Sequence, residues 1–193
     1  FLLRSLNWSF LGTYWQTNGS SSVAVTGTTA VTFAPTLYEQ RLDDSALKVF
    51  RNGLADGVAD VGIRSSVLNG VSVGYRDGTV NSDYGFIGEV AEVLIYDLAL
   101  SAEERQQVET HLTNKWFSAL STDLPVTRNL KSRADASDAS SVTTNALGKV
   151  SKWWSRSETG YYVTQGTTNK QPVYNPHGLR WRPSLTFNGT NVM

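Results

Sequence analysis

The stretch that decides the fold runs from Gly88 to Asp97 and reads GEVAEVLIYD. Its β-branched and aromatic residues favour an extended strand. Alternate residues of a strand point to opposite faces, and here both faces are largely apolar. A strand that is apolar on both faces is typical of the interior of a sheet, because neither face meets water. We therefore predict a central strand at Val90–Tyr96, buried against an opposite sheet.

A helix is predicted directly after this strand. Ser101 and Glu104 have the spacing of a capping box, in which each side chain accepts a hydrogen bond from the backbone N–H of the other residue. Val108, Leu112 and Trp116 follow at intervals of four, which places them on one face of a helix. The pattern predicts one short helix at about residues 101–117.

Short segments of β-branched and aromatic residues, separated by Gly, Asn and Pro, fill the rest of the chain. The predicted strands are Val23–Val25, Val31–Phe33, Leu47–Phe50, Val71–Tyr75, Lys149–Trp154, Tyr161–Gln165 and Ser184–Phe187. The dipeptides Asn52-Gly53 and Asp77-Gly78 tolerate the positive φ angles of a tight hairpin turn. Together these features predict an all-β protein, an antiparallel β-sandwich with one helix.

The composition restricts the kinds of binding partner that we expect. The 193-residue chain is 40% apolar and 18% charged, and its 17 basic residues balance 17 acidic ones. A formal net charge of zero gives no electrostatic reason to expect nucleic acid as a partner. No apolar run approaches the roughly 20 residues of a spanning helix, so membrane insertion is not expected. Because the chain contains no cysteine, disulfides are excluded.

Two segments resemble laminin-G-like domains, which are jelly-roll sandwiches of the concanavalin-A-like kind found in bacterial and viral surface proteins. Residues 88–97, with the helix that ends at Lys115-Trp116, resemble the closing strand and helix of that family. Residues 135–138 read DASD and residues 187–189 read FNG, which resembles the opening pattern of the family. This second segment departs from the pattern at Arg133-Ala134, where an aromatic residue usually precedes the first Asp.

The closing pattern precedes the opening pattern. On this interpretation residues 1–118 are a closing half, 119–128 a linker and 129–193 an opening half. A half-sandwich would expose unpaired strand edges and an apolar face, so something must complete each half. Three arrangements would do so: a permuted fold closed within one chain, with Met193 near Phe1; a tandem array; or exchange of residues 126–193 with a neighbouring subunit in a filament or shell.

The sequence offers no convincing catalytic residues. Glu89 and Glu92 are three apart and point to opposite faces of a regular strand, unlike the converging carboxylates of a glycosidase. We expect Glu89 to be exposed and Glu92 to make a structural hydrogen bond or ion pair. His111, on the helix, has no cysteine to act with and is expected to be a surface or packing residue. The chain is therefore predicted not to be an enzyme.

Aromatic residues are the candidates for ligand binding. Six tryptophans and eight tyrosines are many for this length, and several are adjacent pairs, of which one member should face outward. An outward ring stacks on a sugar or anchors a protein interface, whereas two buried rings would belong to the core. The candidates are Trp8, Tyr14, Trp15, Trp153, Tyr161 and Trp181.

Calcium is the one cofactor that the sequence suggests. Asp77, Asn81 and Asp83 lie in one predicted loop and carry the oxygen ligands that this ion prefers. Asp135 and Asp138 form a second such group. The alternative is that these residues form turns by bonding their own backbone.

The resemblance implies a non-catalytic structural or adhesion module on the cell surface, on a virion surface or otherwise outside the cell. Such a module would be part of a larger repeat protein or assembly, for example a filament, a capsid decoration or a tail appendage. Its expected partners are copies of itself or neighbouring domains. The alternative is a lectin-like domain that binds surface glycans.

Overall fold

The computed structural model describes residues 2–5, 10–16, 22–30, 34–43, 45–60, 73–74, 86–117, 124–157 and 160–193. The predicted strand at 31–33 and the predicted turn at Asp77-Gly78 lie outside these ranges. Of the predicted strand at Val71–Tyr75, only Val73 and Gly74 are described, and the chain bends there.

The described residues form antiparallel strands and one α-helix, as the sequence predicts. In chain order the elements are β1 (Leu2–Ser5), β2 (Phe10–Gln16), β3 (Ser22–Ala30), β4 (Thr36–Asp43), β5 (Ala46–Arg51), β6 (Leu54–Asp60), β7 (Ile87–Val90), β8 (Glu92–Tyr96), α1 (Ala102–Phe117), β9 (Leu130–Asp135), β10 (Val142–Thr144), β11 (Val150–Trp154), β12 (Tyr162–Thr164), β13 (Val173–Asn175) and β14 (Ser184–Asn188). Their ladders give a seven-stranded sheet in the order β13-β14-β7-β1-β4-β5-β6, a three-stranded sheet β10-β11-β12, and the pairs β2-β3 and β8-β9.

Local signals in the sequence determine where the helix begins and where the hairpin of β5 and β6 turns. The Ser101 amide donates to Glu104 Oε2 at 3.0 Å and the Glu104 amide to Ser101 Oγ at 3.2 Å, which is the predicted capping box. Strands β5 and β6 are joined at Asn52-Gly53, whose φ angles are 50° and 80°. Both residues are in the left-handed region that a type I′ turn needs, so this turn prediction is confirmed.

The predicted strand at Val90–Tyr96 is divided into two. Strand β7 ends at Val90 and lies between β14 and β1, whereas β8 begins at Glu92 and pairs with β9. The break falls at Ala91, which is fully buried and accepts a hydrogen bond from the Ala136 amide at 2.9 Å. The chain therefore passes from one sheet to the next at this residue. Periodicity predicts an extended segment but cannot reveal a change of sheet, because both strands alternate in the same way.

Strands from both sides of residues 118–123 are direct neighbours within the one chain. Strand β14 pairs with β7, so that Leu185 lies opposite Val90, and β9 pairs with β8. Val90, Leu185 and Trp153 belong to one apolar cluster that draws on the seven-stranded sheet, the three-stranded sheet and the β8-β9 pair. Met193 exchanges two backbone hydrogen bonds with Val73, at 2.7 and 2.9 Å, and Phe1 lies outside the described residues. Strands β9 and β14 thus pair with strands of the first part of the same chain.

A buried ionic network joins β8, α1 and β9. Lys115 Nζ lies 3.0 Å from Glu92 Oε2 and also donates to Asp135 Oδ2. Arg133 Nε lies 2.7 Å from Glu92 Oε1, and the Trp116 indole donates to Glu92 Oε2 at 2.9 Å. The side chains of Glu92, Asp135 and Lys115 are at most 5% exposed. Two carboxylates therefore face two cations away from water, and the expected structural role of Glu92 is confirmed.

Within the network, Asp135 is held in its charged form by its partners. Burial alone would raise the pKa of Asp135, but the charge of Lys115 and hydrogen bonds from Lys115 and Ser137 outweigh it and lower that pKa. Burial lowers the pKa of His111, which is 3% exposed beside the network and is a packing residue. The neutral imidazole is thereby favoured at a place where the other charges already balance.

Removing one member of the network should unfold the protein more easily. Lys115→Met leaves Glu92 and Asp135 with one buried cation fewer, and we expect the free energy of unfolding to fall by about 3–5 kcal/mol in urea denaturation. The control is Lys131→Met, which removes an exposed ion pair with Asp97 and should cost far less. Equal losses in the two variants would contradict a stabilising role for the network.

Candidate binding surface

The outer face of strands β11 and β12 carries the largest group of exposed aromatic residues that contact one another in the described part of the chain. Trp154 lies opposite Tyr162 in the ladder, and Trp153 lies opposite Val163. Trp153 and Val163 pack in the apolar core, so the alternation of the strands turns Trp154 and Tyr162 outward. Trp154 is 38% exposed and Tyr162 is 52% exposed.

Trp154, Tyr162 and Lys152 form a compact cluster on this face, here called the aromatic–lysine cluster. The two ring centroids are 5.0 Å apart with the planes at 61°, an edge-to-face contact. Lys152 Nζ lies 3.8 Å from the centroid of each ring. Cation–π contacts of this kind hold the ammonium group over the rings. The cluster is therefore an apolar surface with one fixed positive charge.

The backbone around the cluster is well anchored. Ser155 donates its amide to the Tyr161 carbonyl at 2.7 Å, and Arg156 donates its amide to the Arg133 carbonyl at 2.7 Å. Tyr161, the residue before β12, is 55% exposed, as the prediction of an outward ring requires. Rings on a paired strand lose little freedom when a partner binds, which lowers the entropic cost of binding.

One predicted ligand-binding residue is wrong. Trp153 is fully buried, and its indole N–H finds no hydrogen-bond partner among the described residues. The exposed member of the pair is Trp154, which sequence reasoning passed over. The reason is a bulge: Thr143 pairs with Lys152 but Thr144 pairs with Val150, so Ser151 is an extra residue in β11. Val150 and Trp153, three apart, therefore both face the core, and simple alternation could not assign the faces.

The other predicted aromatic residues lie elsewhere in the fold. Tyr14 and Trp15 belong to β2, and their side chains lie outside what the structure describes, as does Trp8. Trp181 is 85% exposed and makes no ring contact with another described aromatic residue. Of the predicted ligand-binding residues, Tyr161 thus directly precedes a member of the aromatic–lysine cluster in the chain, and Trp181 takes no part in the cluster.

Trp181 stands on a strained turn at the end of the helix. Arg180 and Trp181 have φ angles of 53° and 65°, a conformation that side chains with a Cβ rarely adopt. The turn is held on both sides: Leu179 is 2% exposed in the core, and Arg180 donates to the Phe117 carbonyl at 2.7 Å. The surroundings thus fix a backbone that presents the indole to solvent.

The predicted calcium ligands Asp77, Asn81 and Asp83 lie outside the described residues. Of the second group, Asp138 accepts hydrogen bonds from the amide and hydroxyl of Ser140, at 3.1 and 2.6 Å, and so behaves as a turn former. Asp135 is occupied by the ionic network. Within the described ranges no three His, Cys, Asp or Glu residues are grouped so as to hold a metal ion.

Glu89 differs from its predicted exposed position. It is partly buried and accepts a hydrogen bond from Ser184 Oγ at 3.1 Å and a longer one from Asn175 Nδ2 at 3.4 Å. A Cβ on Gly178 would lie 2.6 Å from Glu89 Oε1, so the chain needs a glycine there to approach this carboxylate. Glu89 and Glu92 lie in different sheets, and each is bound by its own structural partners.

Comparison with known proteins gives no relative. Neither the family models, nor the curated proteins, nor the solved structures contain a match to this chain. In the part of the chain that the structure describes, no helix is long and apolar enough to cross a membrane.

Replacing Trp181 by glycine tests the strain directly. A left-handed residue with a Cβ costs roughly 1–2 kcal/mol, whereas glycine loses about 0.5–1 kcal/mol more in chain entropy on folding. Because the ring is 85% exposed, little apolar burial is lost. We expect Trp181→Gly to leave the free energy of unfolding unchanged or to raise it by up to about 1 kcal/mol.

The contrasting variant is Trp153→Ala, which should lower the free energy of unfolding by about 3–5 kcal/mol because it empties a core position. Urea denaturation measures both. A large loss of stability in Trp181→Gly would mean that the indole is packed rather than presented to solvent.

Proposed function

We propose that this chain is a non-catalytic structural or adhesion module that acts at a cell surface, at a virion surface or otherwise outside the cell, within a larger repeat protein or assembly. The observation that carries the proposal is the aromatic–lysine cluster with Tyr161. Tyrosine and tryptophan are the residues that most often anchor protein interfaces, because each gives much contact area at little entropic cost. Copies of the chain or neighbouring domains are the proposed partners.

The partners of the buried charged residues support a structural role for these residues rather than a catalytic one. Glu92, Asp135, Lys115 and Arg133 are bound to one another, and Glu89 to Ser184. A general acid or base has to face a substrate with a proton to exchange. These groups instead hold strands and a helix together, which is the role that a rigid, load-transmitting module requires.

The resemblance to laminin-G-like domains supports the place of action. That family occurs in bacterial and viral surface proteins, which are exposed outside the cell. The absence of cysteine and the neutral net charge are compatible with such a setting and with close packing of many copies, because like molecules without net charge do not repel one another.

Glycan binding is the alternative, and Trp181 is the observation that favours it. Sugars stack on the open face of an aromatic ring. In the aromatic–lysine cluster Lys152 lies over both rings, so a sugar would have to displace it. The indole of Trp181 has no such cover and is held out by a fixed turn.

Two measurements on the whole chain distinguish the assembly proposal from the glycan-binding alternative. Sedimentation velocity from about 1 to 100 µM should show self-association that weakens in Trp154→Ala. The matched control is Leu147→Ala, which removes another exposed apolar side chain, 78% exposed, in a turn away from the cluster. A glycan array in which Trp181→Ala abolishes sub-millimolar binding of a defined sugar would favour the lectin reading. A chain that is monomeric throughout and binds no glycan would contradict both.

A further inference from the structure

Among the described residues, no strand pairs with the outer edge of β12. The Gln165 amide donates to the Ser151 carbonyl at 2.9 Å and the Ser155 amide to the Tyr161 carbonyl at 2.7 Å, so residues 161 and 165 turn their backbone groups toward β11. Because hydrogen-bonded and non-hydrogen-bonded pairs alternate in an antiparallel ladder, Val163 also faces β11, whereas residues 162 and 164 face the other way. The N–H and C=O groups of Tyr162 and Thr164 therefore point away from the sheet, and none of them bonds to a described residue.

Three other sheet edges in the described residues, those of β13, β10 and β6, are protected. Strand β13 is covered by the chain at Gly148, whose carbonyl accepts from the Tyr174 amide at 2.9 Å, and is followed by Pro176. The ladder of β10 is irregular between Thr143 and Thr144, opposite the bulge at Ser151. Strand β6 carries the charged residues Asp56 and Asp60, and the Thr29 amide of β3 bonds to Asp56 Oδ1 at 2.8 Å. Charges, prolines, bulges and covering strands are the devices that prevent edge-to-edge pairing.

Strand β12 has none of these devices. From Thr159 to Asn169 the sequence contains neither a charged residue nor a proline. The β11–β12 ladder is regular through Lys152, Trp153 and Trp154, with no shift of register. Tyrosine, valine and threonine are all favoured in strands. The outer edge of β12 can therefore pair with a further strand.

We propose that β12 pairs antiparallel with β12 of a second copy of this chain, which joins two three-stranded sheets into one. The edge is complementary to itself, because a two-fold axis at Val163 sets Tyr162 opposite Thr164 of the second copy, and each pair exchanges two backbone hydrogen bonds. Because the edge is uncharged and the net charge of the chain is zero, a second copy is not repelled electrostatically. For the same reason, a strongly charged partner would not be attracted. This inference rests on the proposed assembly function and names its contact surface.

The side chains fit this arrangement. On the outer face Tyr162 would lie beside Thr164 of the second copy, a cross-strand pair of an aromatic and a β-branched residue, which stabilises sheets. The aromatic–lysine clusters of the two copies would then lie on one continuous face. Val163, which packs on the core of its own chain, would meet its counterpart beneath the sheet.

Thr164→Pro tests the edge in the intact chain. Proline removes an N–H that points outward and leaves the ladder to β11 untouched, since the residue pairs with Lys152 without hydrogen bonds. By symmetry two intermolecular hydrogen bonds are lost, and we expect the dimer dissociation constant to rise by roughly thirtyfold in sedimentation velocity.

The control is Thr168→Pro, the same change at the first residue of the exposed short helix Thr168–Lys170, where proline is compatible because Thr167 is extended at φ −91° and ψ 108°. It should associate as the wild type does. Equal association of the wild type, Thr164→Pro and Thr168→Pro would overturn the proposed pairing of β12 with β12. It would leave the proposed assembly function unaffected. A wild-type chain that is monomeric at every concentration would overturn both.

A cysteine experiment covers the case in which Thr164→Pro fails to fold. The chain has no cysteine of its own, so introduced thiols are unique. A mixture of Tyr162→Cys and Thr164→Cys should form a disulfide-linked dimer, because opposite residues lie about 5.5 Å apart at Cα. Either variant alone places its thiols diagonally, beyond reach of a disulfide. Equal cross-linking in the mixture and in the separate samples would overturn the proposal.

Discussion

The buried ionic network of Glu92, Lys115, Asp135 and Arg133 is the constraint on which the rest of the structure depends. It ties the strand that follows the sheet change at Ala91 to the end of helix α1 and to the first strand after residues 118–123. Charges without water are tolerated only when each has a partner close by. The network therefore restricts the register of β8 against β9, because a shift of one strand by one residue would place Glu92 and Asp135 on opposite faces.

This constraint helps to explain how the stretches on either side of residues 118–123 pair with each other within one chain. Strand β14 lies beside β7 and β9 beside β8, so strands from the second part of the chain fill positions next to those of the first. Leu185 and Val90 meet in the core that results. With these strands paired inside the chain, the edge of β12 is unpaired among the described residues, and it is there that we propose a second copy joins. Assembly by edge addition needs no exchange of strands.

Local features of the fold could be predicted from the sequence, because their causes lie within a few residues. The capping box at Ser101, the turn at Asn52-Gly53 and the strand at Ser184–Phe187 all follow from neighbouring side chains. The break at Ala91 and the burial of Trp153 instead depend on pairing with distant strands and on a bulge at Ser151. The exposed edge of β12 is likewise a property of strand order, which no single segment encodes.

The central claim is that strands on both sides of residues 118–123 fold as one cooperative unit. Native-state hydrogen exchange tests it most directly, because it gives the opening free energy of each amide. The Ala136 amide, bound to the Ala91 carbonyl, and the amides shared by β7 and β14 should exchange only through global unfolding, with the free energy found for the β4–β5 ladder. Exchange of residues 130–188 through a separate opening of much lower free energy would contradict the account.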